Sequence, residues 1–365
     1  MRYPKSRNFK HELEKRYHPH FRYQYPIIQA PMFGVGTPAM VAAAEKAGTL
    51  GSLPLGDLTY EKCVDIIRAT KAITTQPFAA NIFVYDTPAL TDELKHQYKT
   101  TRSFLEQLAA QHGLEVTLPD IESIKVAGYR EQVDALIAEN CRIVSFTFGN
   151  LDAESVRRLK QNGACLIGTC TTIEEALILE QSGIDLICVQ GIEAGGHRGT
   201  FTPGDIPSIG GMSLLSQVFD KVKRPLIYAG GLYDAKTILA ARTLGAKGFQ
   251  IGSMLLGSTE SALQDFEKQR LRQAQERDII LTNSFSGRYA RGLRNIYTAA
   301  VDNTPHILPY PYQNKLTGPL RTAAKAKQNA GFVSIWAGQS LNGYPAISTT
   351  DILQQLIDQL NQSPV

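Results

Sequence analysis

The stretch Leu186-Ile187-Cys188-Val189-Gln190-Gly191-Ile192-Glu193-Ala194-Gly195-Gly196-His197-Arg198-Gly199 changes character in its middle. Its opening run is short, apolar and rich in branched residues, the pattern of a strand buried on both faces in a parallel sheet. It then breaks into a glycine-rich loop with one histidine, so that a titratable group sits where backbone can approach a ligand closely. Glycines also make ordinary turns, and a loop of this kind takes its meaning from the strands around it.

The same rhythm runs through the chain. Short apolar or β-branched runs at 27–30, 49–53, 77–84, 142–148, 164–168, 185–189, 225–228 and 248–251 alternate with segments of helical character. Those segments carry boundary signals: Pro38 opens one and Gly48 closes it, Thr59 stands as an N-cap before another, and Asp234 before a third. Eight such units predict an α/β fold of the TIM (β/α)8 barrel type, whose usual size is about 250 residues. An open doubly wound sheet competes, but Phe33-Gly34-Val35-Gly36 lacks the third glycine of a dinucleotide fingerprint.

Residues 85–140 are too long for one connection. With Asp86-Thr87-Pro88 and a helical stretch near 102–112, they read as an insertion after strand 3 and a candidate lid. The expected organisation is an N-terminal extension over 1–25, a barrel over 26–257 with its insertion near 85–140, and a C-terminal, mainly helical, substrate-side addition over 258–365. In that addition the charged stretch 265–278 reads as a solvated helical face. Arg288 and Arg291, three apart, read as one face of a helix that clamps the addition to the barrel. Tyr310 and Tyr312 either line the mouth or pack a turn.

Lys plus Arg total 38 against 34 Asp plus Glu, and a net charge of +4 over 365 residues leaves no electrostatic footprint for nucleic acid. The five cysteines are odd in number and fall mostly within apolar runs, which predicts reduced core thiols and a cytoplasmic protein. The first 25 residues are basic but lack the apolar core of a secretory signal. No segment approaches the roughly 20 apolar residues needed to span a bilayer. A soluble monomer or homodimer with no membrane and no nucleic-acid partner is expected.

A barrel of this kind gathers its chemistry at the carboxyl ends of its strands. Those ends supply Gln29-Ala30-Pro31-Met32, Asn81, Thr147, Thr169, Gln190, Ala229-Gly230-Gly231 and Gln250-Ile251-Gly252-Ser253. Amides, hydroxyls and glycines dominate, and carboxylates are scarce. That argues against a hard-cation or zinc site and against a carboxylate-pair glycosidase, so no metal is expected. Neutral amides and open backbone N–H groups suit a flat heteroaromatic ring with carbonyl and imide edges plus a phosphate, a description that flavin mononucleotide (FMN) meets. Gly230-Gly231 and Gly252-Ser253 fall in the two loops that often bind phosphate in such barrels. Each pair also suits a tight turn, and it is their pairing in successive units that favours phosphate.

Together, Gln29-Ala30-Pro31-Met32, Asn81, Gln190 through Gly199, Ala229-Gly230-Gly231 and Gln250-Ile251-Gly252-Ser253 resemble the nitronate monooxygenase family, from about Pro26 to Gln339. The resemblance implies an FMN-containing TIM barrel that oxidises alkyl nitronates with O2 to a carbonyl compound and nitrite. It implies flavin contacts at Asn81, Gln190, Gly195, Gly231, Gln250, Ile251, Gly252 and Ser253, and an active-site histidine at His197; Ala30 and Met32, closing strand 1, are further candidates. The Ala-Gly-Gly-His loop is similar in FMN- and NAD(P)H-dependent enoyl-acyl-carrier-protein reductases, so it points to a superfamily and not to a reaction. Ser286-Gly287-Arg288-Tyr289-Ala290-Arg291-Gly292 and Trp336-Ala337-Gly338-Gln339 resemble C-terminal signatures of the first class of nitronate monooxygenases and tip the reading. Tyr289 stands where proline is common and Ser253 where threonine is common; the latter keeps its hydroxyl. An inactive flavin-binding barrel is a third reading.

In this picture His197 orients or stabilises the nitronate, or serves as base toward a neutral nitroalkane, its ordinary pKa being about 6.5. Arg198 is expected to pair with a surface carboxylate. Glu174, Glu175 and Asp234 are expected to serve the first turns of helices.

Overall fold

The computed structural model describes residues 23–204 and 206–363. The N-terminal extension expected over 1–25 lies, up to residue 22, outside the described residues. Eight parallel strands form one curved sheet: β1 (Ile27–Gln29), β2 (Ser52–Gly56), β3 (Ala79–Phe83), β4 (Ile143–Thr147), β5 (Cys165–Cys170), β6 (Leu186–Gln190), β8 (Leu226–Ala229) and β9 (Gly248–Ile251). The two-residue β7 (Gly196–His197) belongs to a second sheet. The large sheet runs β1-β9-β8-β6-β5-β4-β3-β2. Its two ends also meet: Ile28 bridges Leu50, and Gln29 N donates to Leu50 O at 2.8 Å, giving a nearly closed barrel.

Period-two alternation sorts each strand. Ile28, Ile143, Ile167, Leu186, Cys188 and Ile227 fill the interior, whereas Ile27, Val144, Leu166, Ile187, Phe249 and Ile251 join the core under the helices. Helices α1 (Pro38–Lys46), α2 (Tyr60–Lys71), α4 (Tyr129–Ala138), α5 (Ala153–Gln161), α6 (Ile173–Gln181), α7 (Gly211–Lys221) and α8 (Ala235–Thr243) connect successive strands. The ring is completed by α12 (Thr349–Gln362), which packs against α1 and α8 through Ile352, Leu353, Leu356 and Leu360. Helix starts follow the chemistry of their caps. Thr37 accepts from Met40 N at 3.1 Å and Asp234 from Thr237 N at 2.9 Å, each satisfying a donor the helix leaves open, worth about 1 kcal/mol. All five cysteines are unpaired and buried.

Between β3 and α4 lies α3 (Asp92–Gln111), 20 residues long and far longer than the stretch expected near 102–112. Its Leu94, Tyr98, Leu105 and Leu108 pack with Tyr297, Leu316, Leu320 and Phe332, so the segment after β3 and the chain beyond β9 share a core beside the barrel. That later chain comprises α9 (Asp265–Arg272), β10 (Ile279–Thr282), β11 (Ala290–Leu293), α10 (Ile296–Val301) and α11 (Tyr312–Ala326).

Two expectations fail here. The charged stretch 265–278 is not simply a solvated face: Glu267 is fully buried against Lys325 at 3.1 Å, and Lys268 Nζ donates to Ser258 O at 2.7 Å. Nor do Arg288 and Arg291 share a helix. Arg291 lies in β11, which pairs antiparallel with β10 on one side and with β7 on the other, Ala290 facing His197. An edge strand offered by the histidine loop draws this segment into extended backbone, and a spacing of three then places nothing on a common face. Among the described residues no helix is long and apolar enough to cross a membrane.

Candidate active site

The interior alternation of the barrel continues to its carboxyl rim. There Asn81, Ser145, Thr147, Thr169, Gln190 and Gln250 take inward positions toward the ends of β3, β4, β5, β6 and β9, giving a neutral polar floor beside Phe83. Asn81 Nδ2 donates to Ser145 Oγ at 2.9 Å. Gln190 is a strut: its Nε2 donates to His197 O at 3.0 Å and its Oε1 accepts from Gly199 N at 2.9 Å. Ala30 and Met32 are partly buried at the rim, beside Gly252. Ile251 turns its side chain into the helix-side core, which leaves only its backbone near the mouth.

On the β8–β9 side the rim is backbone. Gly230 and Gly231 have φ of +119° and +67°, conformations that a side chain would strain. A Cβ on Gly195 would lie 2.5 Å from Gly338 N and 2.9 Å from Ser253 Oγ, so only glycine fits between those segments. Gly338 N donates to Ser253 Oγ at 2.8 Å. Among the described residues no hydrogen bond engages the N–H of Gly231, Gly252 or Ser253. A glycine cradle with open donors fits a phosphate, and the neutral floor beside it fits a flat polar ring.

On the opposite side the rim is charged and aromatic. His197 Nε2 lies 2.8 Å from Ser286 Oγ, which also donates to Arg288 O at 3.0 Å and accepts from Arg288 N at 3.2 Å. These three contacts coexist only when Nε2 carries the proton, because the single serine hydrogen is already spent on the carbonyl. Nδ1 then keeps an open lone pair, with no hydrogen-bond partner among the described residues. Burial, with the positive charges of Arg288 and Arg321 behind it, pushes His197 down to about 3. Both effects favour the neutral imidazole.

The loop that carries His197 is held by buried charges. Arg198, expected at the surface, is 1% exposed; its guanidinium donates to Gly191 O and Gln190 O, back across its own loop. Arg288 donates to Thr200 O at 2.8 Å and reaches Phe148 O and Phe201 O at 3.4 Å. Arg291 Nε donates to Ile192 O at 2.9 Å. Among the described residues no carboxylate is within ion-pair distance of these three guanidiniums, and burial pushes Arg198 and Arg288 down to about 10. Glu175 does more than serve a helix start. Its two oxygens take Thr171 N, Thr171 Oγ1, Thr200 Oγ1 and Phe201 N, tying the loop to α6. Glu193 accepts from Tyr228 Oη at 2.5 Å and Gly211 N at 3.1 Å.

Aromatic rings enclose the imidazole. Phe148 and Trp336 have centroids 5.5 Å from that of His197, and Phe83 lies at 6.5 Å. Tyr310 packs on Phe148 at 5.6 Å and Tyr85 at 4.7 Å, while Tyr312 donates to Pro88 O at 2.8 Å and packs a turn. Of the two tyrosines left open by the sequence, only the first joins this wall.

A family model described as nitronate monooxygenase matches residues 16–360. The chain belongs to the nitronate monooxygenase family. It is accordingly a flavin-dependent oxidoreductase of the monooxygenase type. Within the family, a probable nitronate monooxygenase of Bacillus subtilis (strain 168) is 37% identical over 346 residues, covering 93% of this chain and 96% of that protein. A probable nitronate monooxygenase of Staphylococcus haemolyticus (strain JCSC1435) is 36% identical over 341 residues, covering 92% and 93%. The solved structure of nitroalkane oxidase from Streptomyces ansochromogenes matches with a TM-score of 0.84 at 32% identity, covering 93% of this chain and 97% of that one. FabK from Thermotoga maritima, at 23% identity and a TM-score of 0.71 over 94% and 95% of the two chains, shares the fold alone.

For a nitronate monooxygenase family member, the sequence singled out the glycine cradle, the amide floor and His197, and the fold brings all of them to one rim. It passed over Ser286 as a partner of the histidine, Phe83 and Phe148 as its walls, and Glu175 as the loop's anchor. Ser286 lay inside a quoted signature, so a signal existed; Phe148 and Glu175 offered none beyond ending a strand and opening a helix.

Proposed function

We propose that the enzyme binds FMN and oxidises alkyl nitronates with molecular oxygen, giving a carbonyl compound and nitrite, as a cytoplasmic monomer or homodimer. The observation that carries this is electrostatic: three buried guanidiniums, with Glu175 and Glu193 near them but no carboxylate at ion-pair distance among the described residues, surround a loop whose histidine is held toward its neutral form. Such a site favours a small anion over a neutral or cationic ligand. The depressed His197 also argues for a substrate that arrives already deprotonated, because an efficient base has a pKa near the working pH and an imidazolium here would face Arg288 and Arg321.

Gly231, Gly252 and Ser253 would hold the phosphate of FMN, and Asn81, Gln190, Gly195 and Gln250, with Ala30, Met32 and the Ile251 backbone, its ring system. When bound, FMN supplies the electron transfer between nitronate and oxygen. Ser286 and His197 then set the proton at the substrate. If the Ser286 hydroxyl turns from Arg288 O to Nε2, the imidazole carries its proton on Nδ1 and donates to a nitronate oxygen; this costs one neutral hydrogen bond and gains a charge-assisted one. Phe83, Phe148 and Trp336 exclude water around that contact.

Purified protein tests this directly. Its released flavin should migrate as FMN, and propionate nitronate should drive oxygen uptake without NADH. Rapid NADH oxidation with no nitronate-driven uptake would replace this reading with an enoyl-thioester reductase, and a flavin that turns over neither would leave a binding barrel.

A further inference from the structure

We propose that Phe148 is a positioning residue for His197: it fixes the Arg288 guanidinium by the face of its ring and the imidazole by its packing, so that the histidine presents one nitrogen to the substrate. Phe148 directly follows β4 and is 1% exposed, with φ of +79°. A bulky side chain in the left-handed region is an outlier that persists only where its surroundings impose it. Here they do. Gly149 must follow, since a Cβ there would lie 2.6 Å from Val84 O, and Phe148 N donates to Gly199 O at 3.3 Å, binding the β4 loop to the histidine loop.

This backbone aims the ring at the junction. The Arg288 guanidinium carbon stands over it, 4.5 Å from the centroid, while the Phe83 ring lies at 4.5 Å and His197 packs near perpendicular, at 80° and 5.5 Å. Arg288 in turn bonds Phe148 O, Thr200 O and Phe201 O, and its backbone holds the Ser286 hydroxyl that meets His197 Nε2. One ring therefore braces the cation that braces both loops and the serine. Among the described residues the Arg288 Nε has no hydrogen-bond partner, so the face of Phe148 adds to the three carbonyls in compensating a buried charge. The charged groups facing His197 are Arg288, on the turn before β11, and Arg321 of α11; Tyr310, Glu175 and Tyr85 in turn act on Arg288.

The proposal rests on His197 as the substrate-facing group, so its test has two readouts. In the full-length, flavin-loaded protein with ¹⁵N-labelled histidine, the resonance lost in His197→Asn identifies His197. In the parent it should keep one neutral tautomer and not titrate above about pH 4. Phe148→Leu keeps the site apolar but removes the ring face, so water should reach the imidazole and move its titration toward the ordinary value of about 6.5. Nitronate kcat/KM should fall about tenfold, with an acid limb near that pH absent from the parent. Should Phe148→Leu fail to fold, trifluorophenylalanine at 148 keeps the shape and weakens the face, and it should shift titration and rate in the same direction. A folded variant in which His197 stays untitrated and kcat/KM stays within twofold overturns the proposal. A titration shift in a protein that never turns over nitronate supports the positioning and removes the substrate reading instead.

Discussion

The two sides of the barrel mouth are built from different materials. On the β8–β9 side, Gly231, Gly252 and Ser253 present N–H groups that are open among the described residues, from turns that the chain's own geometry fixes. On the β4–β6 side the working group is a side chain on a glycine-rich loop, and the fold surrounds it with Ser286, Phe148, Arg288, Arg291, Glu175 and Glu193. Backbone donors need only the right φ, whereas a side chain with two rotatable bonds and a choice of tautomer needs partners for each degree of freedom. Damage to the first side should therefore cost cofactor, and damage to the second should cost turnover.

The sharpest break of that contrast is His197→Asn, which should lower nitronate kcat/KM by about 10²-fold or more while flavin content at purification is unchanged; loss of flavin in step with activity would erase the division. Gly195→Ala should do the reverse. Its Cβ would press on Gly338 N at 2.5 Å, so bound flavin per chain should drop several-fold while kcat per bound flavin holds. Ser286→Ala should reduce kcat about tenfold without changing flavin content, since it removes a partner worth about 1 kcal/mol but leaves the imidazole in place. Glu175→Ala strands two buried backbone donors and two hydroxyls, and urea denaturation should show about 1–3 kcal/mol less stability.

A separate effect is on acid sensitivity. An unfolded histidine takes up a proton near pH 6.5, whereas folded His197 does so only near 3. The unfolded state binds more protons in that window, so stability should fall as pH drops through it. His197→Asn should flatten part of that slope, and an unchanged slope would mean that the histidine is not kept neutral.

The same contrast explains what the sequence disclosed. The cradle was legible because a phosphate loop is local: Gly230-Gly231 and Gly252-Ser253 each announce a turn at the end of a strand run, and the barrel rhythm places them side by side. The clamps were not, because each is a contact across long separations. Arg288 finds Thr200 O from 88 residues away, and no spacing rule connects them. The misassigned helix at Arg288 and Arg291 has the same origin: β11 is a strand because β7 is beside it, and β7 is two residues long. Buried Glu267, paired with Lys325 of α11, likewise hides in a stretch whose charge density reads as solvent-facing.

Helix α12 has a consequence for how the protein comes into being. It supplies the last piece of the barrel's outer ring, yet it is made after β9 and a further stretch of roughly 100 residues, about 5–20 seconds of synthesis at ordinary rates. Until it emerges, the flanks of α1 and α8 that will receive Ile352, Leu353 and Leu356 face water on the ribosome. A chain cut short before Thr349 would keep every residue of the mouth and still display that uncovered apolar strip to chaperones and proteases.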